Sequence, residues 1–293
     1  MQQIKNYLSL IKFSHSIFAL PFALIGFVIA AINYQFPVTL PFLSSDLILK
    51  LILIIICMIS ARSAAMAFNR YLDRNIDAKN PRTKIREIPA GVIKAENALF
   101  FTIISCLIFI TSCYFINVMV LLLSPVALFV ILFYSYTKRF TALCHLILGL
   151  GLSLAPIGSY VAVLGRFDVL PILFSCIVLF WVSGFDIIYA LQDEEFDKEN
   201  NLNSIPAMFG KKKALLISRI LHIISASIVI YIGVAYQLNF YYWIGSLLFI
   251  GSLFYQQSIV SPTNLNRVNI AFMTTNGFAS IIFAGFVITS FII

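Results

Sequence analysis

Apolar residues run along this chain in long unbroken blocks, without the strict alternation of a half-buried strand. The blocks cover about 17–32, 47–68, 98–115, 118–134, 143–164, 170–191, 214–236, 240–255 and 268–288, and most approach the roughly 20 residues that a helix needs to cross a bilayer. In lipid the backbone must satisfy its own hydrogen bonds, so only helices or a closed barrel can span. Continuous runs select helices. The pattern therefore predicts an all-α, polytopic membrane protein: a bundle of nine transmembrane helices forming a single domain over residues 1–293.

The breaks between blocks set the expected connections. Lys5, Lys12 and His15 precede the first block, a basic start that a cleaved signal peptide shares. Pro21 and the many later spans favour a first transmembrane helix instead. A short external loop with Pro37 and Pro41 follows, and Asn117 marks a tight turn between the third and fourth helices. The fifth block carries Gly149, Gly151, Ser153, Gly158 and Ser159. Small residues let helices approach closely, and they also suit a passage for a long thin ligand. Residues 192–210 read as a polar loop, with Lys211–Lys213 ahead of the seventh helix.

Composition agrees with this picture. Of 293 residues, 61% are hydrophobic and 11% charged, against about 25% charged in soluble domains; the mean hydropathy is +0.97. The net charge of +8 does not point to nucleic acid, because its carriers alternate by side. Lys5, Lys12, the cluster from Arg70 to Lys94, Lys138, Arg139, Lys198, Lys211–Lys213 and Arg267 fall on one side, with only Lys50 and Arg166 on the other. The positive-inside rule then places the N-terminus inside and the C-terminus outside, as in a bacterial inner membrane. Cys57, Cys106, Cys113, Cys144 and Cys176 lie in apolar blocks without metal-ligand spacing and read as small buried hydrophobes.

Two polar stretches do not fit a purely structural bundle. Asn69, Asp73 and Asp77 recur every fourth residue at the end of the second block, and Asp186, Tyr189, Asp193 and Asp197 repeat the arrangement after the sixth. On continuous helices each set forms one stripe. Oxygen-bearing side chains of this kind are hard ligands suited to Mg²⁺. Facing carboxylates repel unless a cation lies between them, and metal with a diphosphate resolves that repulsion. Lys79, Arg82, Lys84 and Arg86 follow the first stripe, where they mark the cytoplasmic side and can also clamp a polyanion. Arg62, about two turns before Asn69 and inside the second block, is costly in lipid and is expected to face a polar cavity. With an apolar interior beneath, the ligand described is a polyprenyl diphosphate. The stripes end helices four spans apart, which hints at a parallel internal repeat. A cation-coupled transporter is the alternative from another class, although its sites usually lie at the midplane; a structural subunit would leave both stripes idle.

The stripes resemble the N-D-x-x-D-x-x-x-D and D-x-x-Y-x-x-x-D-x-x-x-D signatures of the UbiA superfamily of intramembrane prenyltransferases. The loop from Asn80-Pro-Arg-Thr83 through Arg86-Glu-Ile-Pro-Ala-Gly91 is similar to that of the 4-hydroxybenzoate branch, including its menaquinone-pathway relatives; Arg70 stands where many members carry an acidic residue. The resemblance implies Mg²⁺-dependent transfer of a polyprenyl group from its diphosphate to an aromatic acid in quinone biosynthesis. The haem, chlorophyll and ether-lipid branches use related chemistry. Asn69, Asp73, Asp77, Asp186, Asp193 and Asp197 are the expected metal ligands, and Asp73, Asp77, Asp193, Asp197 and Arg139 the expected catalytic residues. Arg62, Arg74, Arg82, Arg86, Lys138 and Tyr189 are expected at the substrates. The two stripes should face each other across one cavity, with carboxylates roughly 5–10 Å apart, the span of two ions and a diphosphate.

Overall fold

Each apolar block folds into helix, and a computed structural model describes residues 2–11, 18–34 and 44–293. In chain order the helices are α1 (Gln2–Leu10), α2 (Leu20–Tyr34), α3 (Ser45–Lys79), α4 (Ala95–Ile116), α5 (Val118–Thr137), α6 (Cys144–Leu164), α7 (Val169–Ala190), α8 (Glu194–Glu199), α9 (Ile205–Ala235), α10 (Phe240–Ile259) and α11 (Asn276–Ile292). Among the described residues there is no strand, only an isolated bridge between Ser261 and Asn264. Lys12, His15, Pro37 and Pro41 lie outside the described residues.

Among the described residues, seven of the nine expected spans are helices long and apolar enough by themselves to cross a membrane. The two that fall short do so for different reasons. The described α2 has 15 residues, about 22 Å at 1.5 Å per residue, against a hydrocarbon core of about 30 Å. In α10, Tyr241, Tyr242, Tyr255, Gln256 and Gln257 dilute an otherwise uncharged helix.

The longest helix positions the first stripe. Ser44 caps α3 by accepting from the Leu47 amide at 3.3 Å, and the helix continues for 35 residues, about 52 Å. That exceeds the hydrocarbon thickness, so its polar end has length to leave the lipid. Asn80 terminates it, with Pro81 unable to continue the ladder.

The second stripe does not lie on one helix, as its spacing predicts. α7 ends at Ala190, a 3₁₀ turn covers Leu191–Asp193, and α8 restarts at Glu194. The expected 192–210 loop is thus largely helical: Ser204 caps a turn at Ile205 with Pro206 behind it, and Gly210, at φ +76°, breaks that turn from the rest of α9. Only glycine takes this backbone region at little cost.

α6 packs against α2, α5 and α7, and its small residues divide between the two expected roles. A Cβ on Gly149 would meet Ser183 Oγ at 2.3 Å and the Leu179 carbonyl at 2.5 Å, so this glycine sets the α6–α7 approach. Ser159 donates to the Ala23 carbonyl of α2 at 2.6 Å. Gly151 and Gly158 instead border an apolar cavity.

Phe22, Trp181, Phe185, Phe249 and Phe283 form an aromatic core joining α2, α7, α10 and α11. Within it Asn276 accepts from Trp181 Nε1 at 3.0 Å and from Gln256, while its amide donates to Phe272 O at 2.9 Å, just after a π-helical turn at Ile270–Thr275. Asn276→Leu should leave two buried donors unpaired and lower the thermal midpoint of the purified protein, at a cost of about 2–5 kcal/mol. An unchanged midpoint would show that the π turn, not the asparagine, organises this junction.

Candidate active site

Asp73 is 1% exposed, and three side chains converge on it. Asn69 Nδ2 donates at 3.2 Å from one turn earlier on α3. Lys138 Nζ lies 2.7 Å from Oδ2, and Arg139 Nη2 donates to Oδ1 at 2.8 Å. Arg139 is held by further bonds to the carbonyls of Ser135 (2.8 Å) and Leu72 (3.2 Å), so it ties the end of α5 to α3. Asp77 is 3% exposed; its Oδ1 accepts from Arg86 at 2.7 Å, and its buried Oδ2 has no partner among the described residues.

The loop leaving α3 then reaches the second stripe. Asn80 Nδ2 donates to Asp193 Oδ1 at 3.2 Å. Arg82 grips the same carboxylate with Nε at 3.0 Å and with Nη2, and its Nη1 donates to the Tyr189 hydroxyl at 2.8 Å. Burial disfavours the Arg82 charge, but the bonds to Asp193 and Tyr189 outweigh it and hold the guanidinium above its ordinary pKa. Its guanidinium carbon sits 5.2 Å from the Tyr189 ring centre, and that ring packs at 4.2 Å on Phe272. Asp197 accepts from Ser204 at 2.8 Å and feels the charges of Asp193, Lys138 and His145. Lys138 therefore acts on a carboxylate of each stripe.

Among the described residues, no three His, Cys, Asp or Glu side chains come together as a ready metal cluster. The expected carboxylate-to-carboxylate face is instead interleaved with cations: Asp73 with Lys138 and Arg139, Asp77 with Arg86, Asp193 with Arg82. Uncompensated carboxylates repel, and the chain's own basic groups supply the neutralising charge. Asp186 has a different partner. His145 Nδ1 of α6 lies 2.7 Å from its carboxylate, and the Ile205 amide approaches the other ring nitrogen at 3.4 Å.

Two expected site residues lie away from this cluster. Arg62 borders an apolar cavity of about 370 Å³ between α3, α4, α5 and α6; its Nε is buried without a partner among the described residues. Tyr134 of α5 also lines the cavity, with Ile54 and Cys57 of α3 and Cys113 of α4. Arg74 is not brought to the acidic cluster. Its Nη1 donates to the Tyr71 carbonyl at 2.7 Å, and the guanidinium lies 4.6 Å over the Tyr71 ring, on another side of α3.

Sequence reasoning missed His145, Asn80 and Arg70 as members of the site. His145 and Asp186 are 41 residues apart, and only the α6–α7 packing joins them. Asn80 is visible in the Asn-Pro-Arg-Thr loop but not its grip on Asp193. Arg70 is 4% exposed, and its Nε has no partner among the described residues.

Comparison with known proteins places these features in a family context. The model of the UbiA prenyltransferase family matches residues 17–282. The 4-hydroxybenzoate octaprenyltransferase of Tolumonas auensis is 31% identical over 224 residues, 76% of this chain and 78% of that protein. The apo structure of a UbiA homologue from Aeropyrum pernix K1 superposes with a TM-score of 0.81 at 32% identity, over 94% of this chain and 97% of that one. A UbiA homologue from Archaeoglobus fulgidus, solved bound to GPP and Mg²⁺, shares the fold with a TM-score of 0.76 at 21% identity, over 98% of this chain and all (100%) of that one.

Proposed function

This chain belongs to the UbiA prenyltransferase family, and we propose that it transfers a polyprenyl group from a polyprenyl diphosphate to 4-hydroxybenzoate or a related aromatic quinone precursor, with Mg²⁺. One observation carries the reading: Asp73, Asp77 and Asp193, each held against Lys or Arg, share one polar cluster, and an apolar cavity headed by Arg62 runs along α3, the helix that carries Asp73 and Asp77. Carboxylates alone would suit a metal and guanidinium groups alone a phosphate. Interleaved, they suit a metal-bound diphosphate.

The residues fit Mg²⁺. The donor set of Asn69, Asp73, Asp77, Asp186, Asp193 and Asp197 is all oxygen, and Asp77 Oδ2 is buried with no partner among the described residues. Asp186, whose Oδ2 is bonded to His145, keeps its second carboxylate oxygen for the ligand set. When bound, the ion neutralises diphosphate charge as the bond to the allylic carbon breaks.

The chain's own groups do the rest. Lys138, Arg139, Arg82 and Arg86 exchange carboxylate partners for phosphate oxygens and stabilise the departing diphosphate. The Tyr189 ring offers its face to the allylic cation. Arg62 receives the acceptor's carboxylate, which presents the electron-rich ring carbon ortho to the hydroxyl; the ring forms the new carbon–carbon bond and then loses its proton. The prenyl tail occupies the cavity, where Gly151 and Gly158 leave room. Nine spans, a single domain over 1–293, an inside N-terminus and an outside C-terminus complete the reading, with the polar cluster facing the cytoplasm from a bacterial inner membrane.

Membranes containing the protein, supplied with several prenyl diphosphates and several aromatic acids, should yield a prenylated acid detectable by mass spectrometry. A product formed from a diphosphate with a non-acidic acceptor, and none with any aromatic acid, would transfer the reading to another branch of the family.

A further inference from the structure

Arg74, left out of the acidic cluster, borders a second groove of about 260 Å³ between the end of α3 and the first turns of α4. Tyr71, Glu96, Leu99, Phe100 and Ile103 share it. We propose that this groove binds a phospholipid whose headgroup carries a primary ammonium, with the phosphate on Arg74, the ammonium on Glu96 and an acyl chain along Leu99, Phe100 and Ile103.

The charges are built for a zwitterion. The bond to the Tyr71 carbonyl and the stack on its ring fix the Arg74 guanidinium while using one of its five N–H donors. Tyr71 itself is anchored, packing with Leu10 of α1, Ile93 and Ala98. Glu96 is exposed, and among the described residues neither Arg74 nor Glu96 forms an ion pair within 4.0 Å. One groove thus offers a cation and an anion that do not satisfy each other, matching a phosphate and an ammonium linked by a short ethylene bridge.

The remaining wall selects a lipid. Phe100 is 65% and Ile103 49% exposed, both on a helix apolar enough to span the bilayer, so a hydrocarbon chain covers them at no polar cost. Glu96 then discriminates among headgroups. Glycerol adds no positive charge to offset the lipid phosphate beside a carboxylate, and serine adds a second anion. Choline has no N–H to donate, whereas a primary ammonium donates up to three charge-assisted hydrogen bonds.

Native mass spectrometry of the full chain in detergent, with equimolar phosphatidylethanolamine, phosphatidylcholine and phosphatidylglycerol, tests this. The wild type should retain phosphatidylethanolamine about two- to fivefold over phosphatidylcholine, a range set by exposed charge pairs. Arg74→Gln should lower retention of both lipids by a similar factor. Glu96→Gln should bring the ethanolamine-to-choline ratio to about one and raise phosphatidylglycerol, while Glu195→Gln, an exposed acid outside the groove, should leave the ratio as in wild type. Equal retention of the three lipids by the wild type, or an unchanged ratio in Glu96→Gln, would overturn the proposal.

Discussion

Asp73→Asn and Asp193→Asn should each lower prenyl transfer by about a hundred- to a thousandfold, the range found when one preorganised electrostatic contact to a developing charge is lost. Asparagine keeps the shape and one oxygen but removes the charge that pairs with the flanking cations and that the proposed mechanism gives to a metal. The two residues sit on different elements and have different partners: Lys138 and Arg139 for Asp73, Arg82 and Asn80 for Asp193. Equal losses from both would follow if they serve one diphosphate. Each variant should still elute as a folded species, because amide groups can keep part of the hydrogen bonding, and excess Mg²⁺ should not restore wild-type rates. Near-normal turnover in either variant would remove that carboxylate from the reaction.

Arg139→Gln should cost about ten- to a hundredfold in turnover, the equivalent of losing a charge-assisted hydrogen bond worth about 1.5–3 kcal/mol. Arg139 spans Asp73 and the carbonyls of Leu72 and Ser135 at once. Its planar fork makes this geometry, and a lysine cannot reproduce it. Since its acidic partner is Asp73, the loss should appear in kcat with the Michaelis constant for the aromatic acid unchanged, and Arg139→Lys should recover only part of it. A raised Michaelis constant for the acid alone would reassign Arg139 to the acceptor carboxylate. Wild-type kinetics would reduce it to a marker of the cytoplasmic side.

How much of this was legible depended on whether local periodicity or tertiary contact decided the outcome. The first stripe was legible because α3 runs unbroken from Ser45 to Lys79, so a spacing of four keeps Asn69 beside Asp73. The second stripe was legible in composition but not in shape: the 3₁₀ turn at Leu191–Asp193 sets Asp186 and Asp197 on separate elements. Asp186 meets His145 through the α6–α7 packing, a pairing that no short-range pattern encodes. Arg82 and Asp193, 111 residues apart, meet only because the loop after α3 folds back toward the end of α7. Arg74 stands apart from the acidic cluster for a local reason. Neighbouring positions on a helix point about 100° apart, and its guanidinium leans over Tyr71. Continuous runs do not register the Tyr and Gln content of α10, which sets it apart from the seven long apolar helices among the described residues.

The most direct test uses purified wild-type protein reconstituted in lipid vesicles with a polyprenyl diphosphate and 4-hydroxybenzoate or the related acid that performs best. With Mg²⁺ present, prenylated acid and inorganic diphosphate should form in equal amounts. Both should stop on chelation and resume when Mg²⁺ is returned. Sustained product formation in metal-free buffer would contradict the metal-bound diphosphate, and a cation flux across the vesicle with no prenylated product under any condition would contradict the enzyme itself.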